Sequence, residues 1–189
     1  MQQRYDLILR GGTVIDPASG RHEVADVGIS GGRIARIDPR IQADGEEING
    51  AGAFVTPGLI DCHTHLFDAF TAHGAPVDEA CLKRGVTVAV DAGSAGCLNF
   101  AAFERYVVRE APIRVFSFLN VSAIGMPQPH LGELCLLDFV DVGGAVETAA
   151  RYPEIVKGFK VRLGRAMTGG SCLPEATICI SLEAWRRSH

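Results

Sequence analysis

At 189 residues, with 47% hydrophobic and 21% charged residues, the chain is long enough to bury a core and reads as a globular, soluble protein of one or two domains. A net charge of −4 and a pI near 5.8, with Lys and Arg scattered, leave no basic footprint for nucleic acid and no polybasic run for a membrane surface. No stretch approaches the roughly 18 apolar residues of a spanning helix, and Met1 to Asp6 carries no apolar signal core, so a cytoplasmic protein is expected.

Residues 4 to 55 read as short strands joined by glycine turns. Tyr5 to Arg10 is the first, Gly11-Gly12 turns it, and Thr13 to Asp16 follows. Ala25 to Ile29 and Arg33 to Ile37 alternate on either side of Ser30-Gly31-Gly32, a hairpin signal. Glu46 to Asn49 and Ala53 to Val55 complete a run expected to pair antiparallel, as a small sheet or half a β-sandwich. No chemical constellation stands out in it, and His22 falls in a polar loop. Residues 1–55 are therefore read as scaffold.

After Pro57 the texture changes to strand alternating with helix. Leu59-Ile60-Asp61-Cys62-His63-Thr64-His65 reads as a buried strand that ends in two histidines one residue apart. Side chains alternate along a strand, so His63 and His65 point the same way, and two neutral imidazoles side by side suit a metal ion. Residues 77 to 84 read as a short helix ended by Gly85. Residues 86 to 91 form a second strand, followed by the small-residue turn Asp91-Ala92-Gly93-Ser94-Ala95-Gly96. A helix over 100–109, a strand over 113–121, a helix over 138–151 and a strand over 155–163 follow. Such repeated β-loop-α units imply a parallel sheet. No Gly-x-Gly-x-x-Gly follows any strand, which argues against a dinucleotide fold. Six cysteines, at 62, 81, 97, 135, 172 and 179, are spread singly and without CxxC pairs, as expected of buried free thiols in a reducing compartment.

Lys160 lies inside the apolar fourth strand, sharing a face with Gly158 and Arg162, while Lys157 shares the other with Phe159 and Val161. A lysine facing an interior is costly unless it snorkels, pairs with a carboxylate or is neutralised.

The string from Val55 to Leu66, with its Pro57-Gly58-Leu59-Ile60-Asp61 and its two histidines, resembles the first-strand signature of the amidohydrolase superfamily. Asp91 to Gly96 and Val156 to Arg162 look most like the deacetylase-type metallohydrolases, relatives of the dihydroorotases. The resemblance covers the chain to about Gly170. It implies an α/β fold: the first four β/α units of a TIM-type (β/α)8 barrel over 56–170, preceded by a small β-sandwich segment over 1–55. It implies one or two divalent metal ions, zinc foremost, held by His63, His65 and a carbamylated Lys160, which is preferred over Lys157. The implied activity is metal-dependent hydrolysis of an amide or ester bond in a small molecule, as in a deacetylase, or of a cyclic amide, as in a dihydroorotase or dihydropyrimidinase.

The family carries two further metal histidines on strands five and six and a general-base aspartate on strand eight, and none of these is matched here. A complete barrel needs about 250 residues, and His73, His130 and His189 do not match the missing positions. Residues 171–189 depart from the family pattern and are read as an atypical tail, truncated or frameshifted. The expectation is an N-terminal fragment lacking full activity, or a non-catalytic product, that self-associates through exposed barrel edges.

Overall fold

Strand β1 (Arg4–Asp16) is the spine of a five-stranded sheet in order β3-β2-β1-β4, with β5 also paired to β1. The computed structural model describes residues 4–128 and 132–163, and the chain divides into two units, Met1–Pro57 and Gly58–His189. In the first unit β2 (Arg21–Ser30) pairs antiparallel with β1 and with β3 (Arg33–Asp38). β4 (Asp44–Asn49) and β5 (Phe54–Val55) run parallel to β1, which corrects the all-antiparallel expectation. Alternation marks a residue run as a strand but carries no information about the direction of its partner.

Gly11-Gly12 is also corrected, from a turn to an irregularity inside one continuous strand. The register against β2 shifts between Leu9 and Gly12, and Gly11 takes φ +63. A Cβ on Gly12 would lie 2.6 Å from the Val55 side chain, so glycine lets β5 come close. Asp26 pins this bulge. Its Oδ1 accepts from Gly11 N at 2.8 Å, and its Oδ2 accepts from Ile41 N at 3.0 Å and from Arg10 Nη1 at 2.8 Å. Burial works against the ionised Asp26 carboxyl, yet these three donors outweigh it and hold the group below the ordinary carboxylate range.

The second unit is built on a four-stranded parallel sheet in order β6-β7-β8-β9, comprising Leu59–Thr64, Val86–Ala92, Arg114–Asn120 and Val156–Lys160. Helical segments join successive strands. α1 (Val77–Ala80) gives way to a 3-10 turn over Leu82–Arg84, which Gly85 ends in the left-handed region at φ +80. α2 (Phe100–Phe103) widens into a π-helical stretch over Glu104–Val108, and a 3-10 turn over Leu137–Phe139 precedes α3 (Val142–Arg151). The carboxylate of Asp141 caps α3 by accepting from Gly144 N at 2.7 Å, and Ala145 and Ala149, one turn apart, are buried. Leu66, Phe67, Phe100, Phe103, Leu119 and Val156 dominate the core of this unit.

β9 stops at Lys160, short of the expected 163. Its register against β8 shifts between Ser117 and Phe118, so Lys157 falls at an irregularity and no longer shares the setting of Phe159. The Lys157 ammonium donates to Pro153 O at 3.0 Å and stands 5.1 Å from the Phe116 ring centroid, at the opposite end of the strand from Lys160. Of the expected buried thiols Cys81 is buried, Cys97 and Cys135 are half-buried, and Cys62 is exposed. No helix among the described residues is long and apolar enough to cross a membrane. His130, His189, Cys172, Cys179 and the tail 171–189 lie outside the described residues.

Two substitutions test these anchors. Asp26→Ala strands the donors of Gly11, Ile41 and Arg10 and is expected to destabilise the first unit by about 2–4 kcal/mol; the shift in urea midpoint measures it. Gly143→Ala, in α3 where an added Cβ meets nothing closer than 3.7 Å, is expected to stabilise the second unit by about 0.5–1 kcal/mol.

Candidate metal centre

Parallel strands deliver their carboxyl ends to one side of the sheet. There β6 ends at Thr64 and His65 follows, β7 runs into the turn 91–96, β8 ends at Asn120 and β9 at Lys160. The imidazoles of His63 and His65 come together edge to face, with ring centroids 5.5 Å apart. His63 is exposed and its backbone N donates to Asp61 Oδ1 at 3.0 Å. His65 is half-buried, and its Nδ1 lies 3.1 Å from Ser94 Oγ.

The electrostatics of His65 suit ligation. Burial, reinforced by the charges of His63, Lys160, His73 and Arg162, lowers its pKa to about 4. The ring is therefore neutral at pH 7, the form that offers a lone pair. His73, set aside by sequence reasoning as a loop residue, comes within 6.5 Å of His65 between ring centroids. Its loop folds back on the strand end, with Ala75 N donating to His65 O at 3.0 Å and Ala72 N to Pro127 O at 3.0 Å. Three imidazoles thus gather at one strand end, although among the described residues no group of three or more His, Cys, Asp or Glu side chains is arranged to hold a metal ion.

Asp91 organises this end of the sheet. It is fully buried, and its Oδ2 accepts from Leu66 N at 2.8 Å while its Oδ1 accepts from Ser94 N at 2.7 Å. Burial raises its pKa, and hydrogen bonds from Leu66, Ser94 and Gly93 pull the other way. Asn120, also buried, donates to Gly93 O at 2.9 Å and accepts from Ser122 N at 2.9 Å. Lys160 comes in over Gly93: a Cβ there would stand 2.6 Å from both Lys160 Cβ and Cγ, and the glycine takes φ +87. Beyond Lys160, Arg162 pairs through Nε and Nη2 with Glu133 at 2.7 and 3.1 Å, which ties the strand end to the loop before α3. Sequence reasoning singled out the turn 91–96 but assigned it no role. The positive-φ glycine inside a run of small residues was the one available signal.

The residues present suit a divalent cation. A neutral imidazole stands beside a second imidazole, and a lysine stem lies in a cradle that a side chain at position 93 would fill.

No family model matches the chain. A deacetylase of Agrobacterium fabrum is 36% identical over 148 residues, which cover 76% of this chain and 36% of that protein. A crystal structure of a dihydroorotase superposes with a TM-score of 0.87 at 28% identity, over 95% of this chain and 49% of that one. A crystal structure of an adenine deaminase gives 0.77 at 26% identity, over 97% and 48%. The chain spans half or less of the length of each of these relatives. The paired histidines at the end of β6, the parallel sheet that carries them and these likenesses converge, and the chain belongs to the amidohydrolase superfamily.

Proposed function

We propose that this chain supplies the first half of a metal-dependent hydrolase that cleaves a C–N bond in a small amide, as a deacetylase does. The observation that carries the reading is the meeting of His63 and His65, one of them neutral, at the carboxyl end of a parallel sheet beside Lys160. The similarity to a deacetylase over 148 residues favours an acetylated substrate. The dihydroorotase likeness supports a cyclic amide as the second reading, and hydrolysis of an ester follows the same chemistry.

In this proposal His63 and His65 hold a divalent ion, zinc foremost, and Lys160 joins them as a carbamate formed with CO2. A bound ion of this kind lowers the pKa of water from 15.7 to about 7 and polarises a scissile carbonyl. The chain's own residues prepare the place: burial keeps His65 neutral, and Gly93 leaves room for the Lys160 stem. Asp91 is engaged by backbone donors on both oxygens, so it serves structure and not proton transfer.

The domain reading follows: residues 1–55 as a β-sandwich segment, and residues 56–170 as the first four units of a (β/α)8 barrel. Leu59 and Ile60 on the edge strand β6 are 53% and 63% exposed, which supports self-association through that edge or its pairing with further barrel strands. A cytoplasmic location and the absence of nucleic-acid or membrane partners complete the proposal.

Zinc uptake by the purified chain, measured by equilibrium dialysis, is expected to be weak and to disappear in the His63→Ala, His65→Ala double variant. Retention of zinc by that variant contradicts the ligand assignment. Native mass spectrometry in bicarbonate with zinc present is expected to show one added CO2, lost in Lys160→Ala and kept in Lys157→Ala. An adduct that instead tracks Lys157 refutes the choice of lysine.

A further inference from the structure

Asn120 ends β8 and has no part in the proposed chemistry, yet its side chain is engaged at both ends. It is 1% exposed, its Nδ2 donates to Gly93 O at 2.9 Å and its Oδ1 accepts from Ser122 N at 2.9 Å. The partners settle which end is which. A backbone carbonyl only accepts and a backbone N–H only donates, so the amide nitrogen faces Gly93 and the amide oxygen faces Ser122. An ionised aspartate of the same shape keeps the bond from Ser122 and cannot make the one to Gly93.

Lys160 meets the same glycine. Asn120 and Lys160 are register partners across β8 and β9, and Val121 N donates to Lys160 O at 3.1 Å. A Cβ on Gly93 would stand 2.6 Å from both Lys160 Cβ and Cγ, and 3.4 Å from Asn120 Nδ2. The Lys160 stem thus rests on the Gly93 backbone, and the Asn120 amide holds that backbone. Asn120 N also donates to Ala95 O at 2.9 Å, so the end of β8 grips the turn after β7 at two points.

We propose that Asn120 is the positioning residue for Lys160: by holding the Gly93 carbonyl it fixes the floor on which the lysine stem is seated, and so the line along which Lys160 reaches the centre. This rests on the reading of Lys160 as a ligand. The seating itself needs neither metal nor CO2, so the two can fail separately. The net worth of one such hydrogen bond corresponds to a change of about 2–10-fold in the seated population.

The test is proton–carbon NMR of the full chain carrying 13C-labelled lysine, free of metal and bicarbonate, with the Lys160 signals assigned by their loss in Lys160→Arg. A stem held against Gly93 keeps its two Cγ protons in different surroundings, whereas free rotation averages them. The wild type is expected to show a resolved Cγ proton pair for Lys160, and Asn120→Asp is expected to collapse it. Lys157, at the other end of β9, is the internal reference and should not change, which separates loss of the seat from loosening of the whole sheet. With zinc present, the bicarbonate concentration that half-saturates the CO2 adduct is expected to rise about 2–10-fold in Asn120→Asp. An averaged Cγ pair in wild-type Lys160 overturns the proposal whether or not the variant folds. So does a folded Asn120→Asp that keeps the resolved pair, or one that takes up CO2 at the wild-type bicarbonate concentration. If the pair is resolved in the wild type and lost in the variant while neither forms an adduct, the ligand reading is the part that fails, and the seating stands on its own.

Discussion

The buried carboxylate of Asp91 fixes the carboxyl end of the parallel sheet. One oxygen takes the N–H that follows His65 in the chain, and the other takes the N–H of Ser94 three residues downstream of Asp91 itself. Among the described residues neither donor has another partner, and a buried amide left unpaired costs about 1–3 kcal/mol. The bond to Leu66 N directs Leu66 and Phe67 into the core and leaves His65 at the mouth. The bond to Ser94 N closes the turn that brings Gly93 under Lys160 and Ser94 to the His65 ring. The arrangement of the candidate ligands is thus a consequence of where one carboxylate is buried.

Much of this was legible in the residues. Strand β6 and its two histidines stand out because a Pro-Gly break, an apolar pair and a His-x-His spacing fall together. The parallel sheet follows from the alternation of strand and helix patterns, whereas the apolar run marks Lys160 only as a costly lysine and its reading as a ligand comes from the family resemblance. Less legible was anything that depends on contacts distant in sequence. His73 lies in a polar loop with no periodic signal, and only the folding of that loop against Pro127 and His65 brings its ring near the site. Asp91 reads as a strand-ending polar residue until Leu66, 25 positions earlier, is seen to need its oxygen. Gly11-Gly12 has the composition of a turn, but the neighbours that decide between turn and bulge, Asp26 and Val55, lie far along the chain.

The two units also differ in how they use charge. In the first, Arg10, Asp26 and Glu47 form a cluster around the bulge of β1 and serve the sheet. In the second, the buried polar groups Asp91, Ser94, Asn120 and Ser122 collect at one end of the strands. Most buried polar groups find a partner: Asp91, Ser94 and Asn120 are satisfied by backbone and by His65, whereas the Ser122 hydroxyl meets none among the described residues. Such a collection at strand ends is the setting in which a parallel barrel holds its chemistry.

The central claim is that imidazoles from β6, with an oxygen ligand from Lys160, hold the metal. X-ray absorption at the zinc edge of the saturated chain tests it most directly, because Cys62 stands exposed in the same strand as a competing ligand. The account predicts nitrogen and oxygen scatterers alone at about 2.0–2.1 Å. A sulfur shell at about 2.3 Å would contradict it.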